Sequence, residues 1–380
     1  MHRSVKVAVI GAGVSGLVAA RELLRERHDV VVYDQNDSVG GNWIYDPRTE
    51  SDPLSLDPNR ETVHSSLHVS LRTNLPRALM SFTDYPFVRT ESDPRTFPRR
   101  DEVLRFLNRF ADEFGVREVT RLKTRVSRVE RVKDEWVVES MTRGSESVSR
   151  EVFEAVVVCS GHNSVPRVAE IDGIENWRGY QMHSHNYRAP GRFQDQIKCV
   201  NKDGSISFQD GSSIFANTII YCTGYKYHFP FLDINGIVTV EDKCVGPLYK
   251  HIFAPALAPS LSFIGIVTKE PIFLMAELQS KWMARVLSGK ILLPTEDMMM
   301  KSIEDIYHEM EENGLPKTCS LSLRPLQAEY KHWLATQIGL PPLGEWREKL
   351  LSEIFKKLGE LPLTYRDQWD DTYWDSIIQF

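Results

Sequence analysis

Three glycines near the start of the chain have the spacing of a phosphate-binding turn. Gly11, Gly13 and Gly16 form the pattern G-x-G-x-x-G. In such a turn the first glycine permits a tight bend, the second lets the backbone approach a pyrophosphate, and the third lets a helix pack closely on a strand. Asp34 ends the next apolar run, where a carboxylate accepts a hydrogen bond from a ribose hydroxyl. Together these residues predict a dinucleotide-binding site.

The apolar pattern indicates the elements that must position these residues. A β-branched run over 5–10 leads directly into the glycines and predicts a strand. Residues 17–24 carry apolar side chains at helical spacing, and 30–33 form a second apolar run that ends on Asp34. This order predicts a βαβ unit in which the helix N-terminus offers free N–H groups to phosphates. The alternative is a glycine turn that is needed only for packing, but this would not explain why the second apolar run ends on the carboxylate of Asp34.

Two later segments carry weaker functional signals. The pair Gly40-Gly41 permits close backbone approach to a ligand, and Trp43 has the shape to cover a flat ring. A glycine turn with a core tryptophan explains the same residues equally well. Asn74 precedes a Leu-Pro step, so its backbone is expected to be extended or turning. Because a single Asn in a loop is usually a turn former, composition alone gives Asn74 no functional role.

The rest of the chain predicts a mixed α/β protein with a helical C-terminal region. Apolar runs that end in glycine are typical of buried parallel strands in a doubly wound sheet, and they occur at 155–161, 218–224 and 261–265. Alternation over 122–138 predicts a hairpin, with a polar loop over 140–151. Helices are expected over 103–114, from Ile272 onward and over 346–358. The aromatic end of the chain, with Tyr365, Trp369, Tyr373 and Trp374, is expected to dock on the body.

Composition and charge argue against several classes of protein. The formal net charge of -6 and the lack of a basic stripe argue against a nucleic-acid-binding surface. The five cysteines are odd in number and scattered, which favours reduced thiols in the cytosol. No apolar run approaches the ~20 residues of a membrane span and no signal peptide is evident, so a soluble cytoplasmic protein is expected. His183 and His185 have no third ligand at suitable spacing, and no metal site is expected.

Five motifs in order resemble those of the flavin-containing monooxygenases, most closely the plant glucosinolate S-oxygenase-like branch. The first glycine turn is similar to the family's FAD pyrophosphate loop, and residues 40–43 are similar to its G-G-x-W segment. Residues 73–76 resemble the stretch whose Asn lies over the flavin. Residues 177–187 resemble the fingerprint F-x-G-x-x-x-H-x-x-x-Y/F, with Trp177 in place of Phe, and 222–225 resemble the linker between two nucleotide domains. The similarity covers nearly the whole chain.

This resemblance implies an FAD-dependent, NADPH-using monooxygenase. In the family, NADPH reduces the flavin, O2 adds to give a C4a-hydroperoxyflavin, and a soft sulfur or nitrogen nucleophile attacks the distal oxygen. The implied substrate is a small thioether or amine, with methylthioalkyl glucosinolates typical of the branch. Asn74 would be the catalytic residue, hydrogen-bonded near the flavin. The implied FAD-binding residues are Gly11, Ala12, Gly13, Val14, Ser15, Gly16, Asp34, Gly41, Asn42, Trp43, Asn74 and Val126.

One part of the family pattern is missing from this sequence. Family members carry a second G-x-G-x-x-G for NADPH between the fingerprint and the linker motif, whereas the interval 188–221 has only scattered glycines. That interval is also too short for a mononucleotide-binding half, which needs two βαβ units of about 30 residues each. We therefore predict an internal deletion near Gln196-Ile197, which leaves the hairpin around 206–208 as a remnant of the NADPH-binding domain.

The expected fold is α/β, with a doubly wound FAD-binding Rossmann-type domain, a β-meander insertion, a remnant of a second dinucleotide domain and a helical C-terminal region. The expected boundaries are 1–195 and 218–330 for the two parts of the FAD-binding domain, 196–217 for the remnant and 331–380 for the tail. Three functions stay open: an S- or N-oxygenating monooxygenase, a truncated FAD-binding protein with impaired NADPH use, and a flavin oxidase or reductase with another electron donor.

Overall fold

The computed structural model describes residues 3–188, 197–201, 203, 205–208, 211, 213–216, 218–241, 243–317, 320–323, 327–361 and 364–378. The chain forms two compact units. The first comprises Met1–Gly41, Arg72–Gly161 and Phe229–Phe380, and the second comprises Asn42–Leu71 and His162–His228. The predicted deletion point at Gln196 lies outside the described residues, and the domain boundaries expected at 195, 217 and 330 stay predictions.

The secondary-structure elements are numbered here in chain order. The strands are β1 (Lys6–Ile10), β2 (Asp29–Tyr33), β3 (Thr120–Arg121), β4 (Thr124–Val132), β5 (Glu135–Thr142), β6 (Ser149–Phe153), β7 (Ala155–Val158), β8 (Val165–Pro166), β9 (Tyr180–His183), β10 (Ile197–Val200), β11 (Ile206–Phe208), β12 (Ser213–Ile214), β13 (Thr218–Tyr221), β14 (Tyr225–Lys226), β15 (Leu232–Asp233), β16 (Thr239–Glu241), β17 (Cys244–Gly246) and β18 (Leu261–Phe263). The helices are α1 (Val14–Arg25), α2 (Arg100–Glu113), α3 (Ile272–Leu287), α4 (Glu296–Glu312), α5 (Gln327–Gln337), α6 (Trp346–Glu360) and α7 (Asp371–Ile377).

A five-stranded parallel sheet forms the centre of the first unit. Its order is β18-β7-β1-β2-β3, and every neighbouring pair is parallel. Parallel strands are covered on both faces, so they are built from continuous apolar runs, and β7 and β18 are buried along their whole length. This sheet confirms the Rossmann-like α/β core and two of the three glycine-terminated strands. The third run, β13, pairs instead with β9 in the second unit.

Helix α1 follows the glycine turn and is held against α3 by buried charges. Nη2 of Arg21 lies 3.0 Å from Oε1 of Glu277, and both side chains are almost fully buried. Glu277 also accepts a hydrogen bond from the backbone N–H of Thr83 at 2.7 Å and lies 2.8 Å from Nζ of Lys281. Because α1 carries the glycine turn at its N-terminus, this charge network holds the helix that bears the turn against α3.

A β-meander of β4, β5 and β6 lies between β3 and β7 in the chain, and β15 adds to it alongside β4. The prediction of a loop over 140–151 is wrong at both ends, because β5 continues to Thr142 and β6 begins at Ser149. An exposed antiparallel strand tolerates polar side chains, and Arg150 makes an ion pair with Glu130 at 3.0 Å across the sheet. The polar composition was therefore a poor guide here.

The described residues of the second unit form three small sheets. Strands β9 and β13 are parallel, β8 and β14 are antiparallel, and β10, β11 and β12 form an antiparallel sheet. The strand expected around 206–208 is confirmed as β11. The apolar centre of this unit consists of Trp177, Ile206, Ile219 and Tyr221.

The C-terminal residues belong to the first unit and pack within it. Tyr365 and Trp374 are buried in a cluster with Phe97, Leu79 and the apolar face of α6. The helix predicted over 346–358 is confirmed as α6, which extends to Glu360. Among the described residues, none of the helices has the length and apolar character needed to cross a membrane.

Candidate functional site

The turn between β1 and α1 leaves no room for side chains at two of its glycines. Gly11 has φ +108°, and a Cβ there would lie 2.5 Å from the carbonyl oxygen of Cys159 at the end of β7. A Cβ at Gly16 would lie 1.8 Å from the carbonyl oxygen of Gly11. The backbone therefore requires glycine at Gly11 and Gly16, for the turn and for close helix packing respectively.

The glycine turn meets a second glycine turn at the N-terminus of α1. Gly13 is the N-cap residue of α1, and a Cβ on Gly41 would lie 2.7 Å from its Cα. The backbone N–H of Gly40 donates to the carbonyl oxygen of Ala12 at 2.9 Å. Within the described part of the chain no side chain caps α1, and its first turn holds no acidic residue, so the N–H groups and the positive end of the helix dipole are available to an anion.

Asp34 is tied to the glycine turn by its side chain. Oδ2 accepts from the backbone N–H of Ala12 at 2.7 Å, and Oδ1 accepts from the backbone and side-chain N–H groups of Asn36 at 2.8 and 2.9 Å. Burial raises the pKa of the Asp34 carboxyl group, and these hydrogen bonds oppose the rise. The acid predicted to bind a ribose thus also fixes the turn, a role that the sequence pattern did not reveal.

Of two further predicted residues, Ser15 lies against Gly265, and Val126 lies on β4, whose first residue is hydrogen-bonded to Asp34. The backbone N–H of Thr124 donates to the carbonyl oxygen of Asp34 at 2.8 Å, and Val126, 8% exposed, follows two residues later on β4. A Cβ on Gly265, just after β18, would lie 2.1 Å from Oγ of Ser15. The turn is therefore bounded by the carboxyl ends of β2, β7 and β18, the edge at which doubly wound folds bind ligands.

Gln279 is a buried polar residue at this edge that sequence reasoning missed. It is 0% exposed, and its Oε1 accepts from the backbone N–H of Gly265 at 3.0 Å. Its Nε2 donates to the hydroxyl oxygen of Tyr330 at 3.1 Å. The only sequence signal is an amide on the buried face of α3, which does not identify its partner.

Asn74 also belongs to the first unit, and its side chain is exposed. As expected for a residue before Leu-Pro, it lies outside regular structure, and a short 3-10 helix follows at Arg77–Met80. Among the described residues, no hydrogen-bond partner is found for the Asn74 carboxamide. The amide donor and acceptor are therefore open to a ligand.

Asn42 and Trp43 fall in the second unit, within the short 3-10 helix Gly41–Trp43. Asn42 is exposed, and its Oδ1 accepts from the hydroxyl group of Ser66 at 3.1 Å. Trp43 is half-buried. The side chain of Trp43 is thus only partly committed to the core, which leaves both interpretations of this segment open.

The fingerprint histidines form a buried cluster in the second unit. Nε2 of His185 lies 3.4 Å from Oε1 of Glu50, and both side chains are 0% exposed. Burial opposes ionisation of Glu50, but hydrogen bonds from His185, Ser55 and Arg60 outweigh it and lower its pKa to about 2. Burial, aided by His185, lowers the pKa of His183 to about 4. Within the described part of the chain, no three His, Cys, Asp or Glu side chains are grouped to hold a metal ion.

A cavity of about 250 Å³ opens elsewhere in the first unit, beside α5 and α6. It is lined by Leu274, Lys331, Arg347 and Glu348, among others, and includes none of the predicted FAD-binding residues. Lys331 makes ion pairs to Glu270 at 2.8 Å and Glu348 at 2.5 Å, so its charge is balanced within the protein. The glycine turns therefore remain the better candidate for a cofactor site.

Comparison with known proteins gives a consistent family assignment. The model of flavin-binding monooxygenase-like proteins matches residues 4–205 and 196–342. The Arabidopsis thaliana protein named flavin-containing monooxygenase FMO GS-OX5 is 46% identical over 427 positions, which cover 97% of this chain and 93% of the relative. The Arabidopsis thaliana protein named FMO GS-OX2 is 44% identical over 421 positions, which cover 96% of this chain and 92% of the relative.

Solved structures extend the comparison to the fold. S-allyl-L-cysteine S-oxygenase from Allium sativum superimposes with a TM-score of 0.94 at 43% identity, covering 99% of this chain and 98% of that one. Tmm from Pelagibacter sp. strain HTCC7211 has a TM-score of 0.79 at 23% identity, and the match covers 95% of this chain and 92% of that one. This match supports the fold alone.

Proposed function

Because this chain belongs to the flavin-binding monooxygenase-like family, we propose that it binds FAD and transfers one oxygen atom to the sulfur of a small thioether. The observation that carries the proposal is the contact between the two glycine turns at Gly13 and Gly41. That contact leaves side-chain-free backbone at an uncapped helix N-terminus, which suits a pyrophosphate. The residues present therefore fit FAD.

The residues that would hold FAD are those predicted from the sequence. The backbone of Gly11–Gly16 would bind the pyrophosphate, and the carboxylate of Asp34 would accept from a ribose hydroxyl. Both oxygens of Asp34 are already engaged, but a carboxylate has about four lone-pair sites, so another donor is accommodated. Ala12, Val14, Ser15, Gly41, Asn42, Trp43, Asn74 and Val126 complete the proposed set.

Bound FAD would supply the redox chemistry, in which O2, two electrons and two protons convert the thioether to a sulfoxide and release one molecule of water. The protein's own task is to orient the reactants and keep bulk water away. Asn74 is the proposed catalytic residue, since its exposed carboxamide offers a donor and an acceptor.

The proposed substrate class rests on the relatives. One structural relative is named an S-allyl-L-cysteine S-oxygenase, and the sequence resemblance adds methylthioalkyl glucosinolates. Both substrates are thioethers, whose soft sulfur suits an electrophilic oxygen. An alkyl thioether attached to a polar group is therefore the substrate class to test first.

A specific observation favours a second candidate, an FAD-binding protein that uses NADPH poorly. The alignment to FMO GS-OX5 spans 427 positions, more than the 380 residues of this chain, so the relative has residues with no counterpart here. The two matched segments of the family model overlap at 196–205, near the predicted deletion. The interval 188–221 also lacks a second G-x-G-x-x-G. These points support impaired nicotinamide binding with FAD binding retained.

The two candidates separate in a two-step experiment on FAD-loaded protein. First, stoichiometric NADPH is added without air and the flavin absorbance is followed. Second, flavin reduced by light is mixed with O2 and a thioether, and sulfoxide and hydrogen peroxide are quantified. Rapid bleaching followed by sulfoxide formation supports the monooxygenase. Slow bleaching with sulfoxide formed after photoreduction supports impaired NADPH use alone, and failure to bind FAD refutes both candidates.

A further inference from the structure

The backbone around Asn74 is held by residues from the far end of the chain. Oη of Tyr365 donates to the carbonyl oxygen of Asn74 at 3.0 Å. Nη1 of Arg366 donates to the carbonyl oxygen of Arg72 at 3.1 Å and to that of Thr73 at 3.4 Å. Three successive carbonyl groups are thus bound by two successive tail residues.

Tyr365 is buried although Asn74 is exposed. The Tyr365 residue is 1% exposed, and its ring packs edge-on against Phe97 at 5.5 Å between centroids. A buried phenol requires a hydrogen-bond partner, because an unpaired buried hydroxyl group destabilises the folded state. The apolar packing therefore fixes the ring, and the fixed ring fixes the Asn74 carbonyl group.

Other contacts hold the residues on either side of Asn74. The backbone N–H of Thr73 donates to the carbonyl oxygen of Pro98 at 2.9 Å, and that of Arg77 donates to Thr96 at 2.9 Å. The tail itself is anchored by an ion pair between Arg89 and Asp371 at 3.4 Å. The hydroxyl group of Tyr365 is thus the contact made to the Asn74 carbonyl group itself.

We propose that Tyr365 is a positioning residue, which sets the orientation of Asn74 through its backbone carbonyl group. The inference rests on the proposed function, in which the Asn74 carboxamide acts beside the flavin. The carbonyl group of Asn74 is bonded to the Cα that carries the carboxamide, so a hydrogen bond that holds the carbonyl group restricts the backbone torsions that place this side chain. Loss of the hydroxyl group therefore lets the carboxamide leave its productive orientation while the tail stays docked.

The test compares Tyr365→Phe with Tyr373→Phe. Both changes remove one phenol oxygen from the tail, but Tyr373 is 54% exposed and its ring contacts Trp374 rather than the Asn74 loop. The first readout is amide hydrogen exchange of the peptide 71–80 without cofactor. A net hydrogen bond of about 1 kcal/mol predicts roughly fivefold faster exchange in Tyr365→Phe and no change in Tyr373→Phe.

The second readout uses FAD-loaded protein reduced by light, so that NADPH use does not enter. With O2 and a thioether, we expect Tyr365→Phe to bind FAD within about twofold of the unmodified chain but to form at least threefold less sulfoxide and more hydrogen peroxide. Unchanged exchange in 71–80 would overturn the proposal whatever the activity. A third outcome combines faster exchange in Tyr365→Phe with an unmodified chain that forms no sulfoxide. This outcome would refute the proposed function but not the effect of Tyr365 on the Asn74 backbone. Faster exchange with an unchanged sulfoxide yield would refute the positioning role.

Discussion

One carboxylate oxygen of Asp34 lies 2.7 Å from the backbone nitrogen of Ala12, so the residue that follows β2 holds the turn that follows β1. The two residues follow the adjacent parallel strands β1 and β2, and the hydrogen bond joins the segments at the carboxyl ends of these strands. Asp34 therefore has a structural role in the unliganded protein in addition to its proposed contact with ribose.

Replacing Asp34 by Ala should lower both stability and FAD affinity. The change leaves the buried N–H of Ala12 without its acceptor, which costs about 1–3 kcal/mol in the free energy of unfolding. FAD affinity should fall at least tenfold, because the turn relaxes and the ribose acceptor is lost. Urea unfolding and a flavin fluorescence titration measure the two effects. Asp37→Ala is the control, since Asp37 is exposed three residues away, and an equal loss in this control would contradict the assignment.

Alanine substitutions at Gly13 and Gly16 should separate cofactor binding from folding. A Cβ on Gly13 would lie 3.4 Å from Cα of Gly41, an ordinary contact, and Gly13 has φ -78°, which alanine adopts freely. Gly13→Ala should therefore cost less than about 1 kcal/mol of stability. It should still weaken FAD binding at least tenfold, because the methyl group would occupy the approach of the pyrophosphate.

Gly16→Ala should instead cause a large loss of stability. Its Cβ would lie 1.8 Å from a backbone oxygen that cannot move without distorting the turn, so we expect a stability loss of about 3 kcal/mol or more. Thermal melts of both variants without FAD provide the comparison. Equal melting temperatures for Gly13→Ala and Gly16→Ala would contradict the packing argument.

Local sequence signals predicted the glycine turn and its flanking elements, because βαβ units form between neighbours in the chain. The runs before Gly11 and Asp34 became β1 and β2, and the helical spacing between them became α1. The polar stretch around Arg150 was misjudged, since an antiparallel strand with one face in water carries the same composition as a loop.

Long-range polar pairs could not be predicted in this way. Tyr365 and Asn74 are separated by most of the chain, as are Glu277 and Arg21, and neither pair carries a periodic signal. Tyr365 was expected to dock because it is aromatic, but no pattern in one sequence identifies the carbonyl group that accepts a hydrogen bond from its hydroxyl group. The partners become visible only once the fold brings them together.

The buried charge network between α1 and α3 should be sensitive to loss of its central carboxylate. Glu277→Gln removes the negative charge shared by Arg21 and Lys281. Breaking a buried ion pair costs about 3–5 kcal/mol, and the lower end is expected because Arg21 also contacts Glu22 and Asp84. Urea unfolding at pH 7 measures the loss. Glu304→Gln on the exposed face of α4 should change stability by less than about 0.5 kcal/mol, and a similar loss there would argue against a special role for Glu277.

Acidification should destabilise the second unit through His183 and Glu50. His183 has a folded-state pKa of about 4, below its ordinary 6.5, so the unfolded chain binds the proton first and the contribution of His183 is lost as pH falls from 6.5 towards 4. Glu50 has a folded-state pKa of about 2 against an ordinary 4.5, so its contribution to stability is complete above pH 4.5 and is lost below it.

We expect the stability difference between the unmodified chain and His183→Gln to shrink by about 1–3 kcal/mol between pH 7 and pH 4, measured by urea unfolding. The matched variant His332→Gln changes an exposed histidine and provides the control. A pH-independent difference for His183→Gln would contradict the lowered pKa of the buried imidazole, because stability does not vary with pH when a group has the same pKa in the folded and unfolded chains.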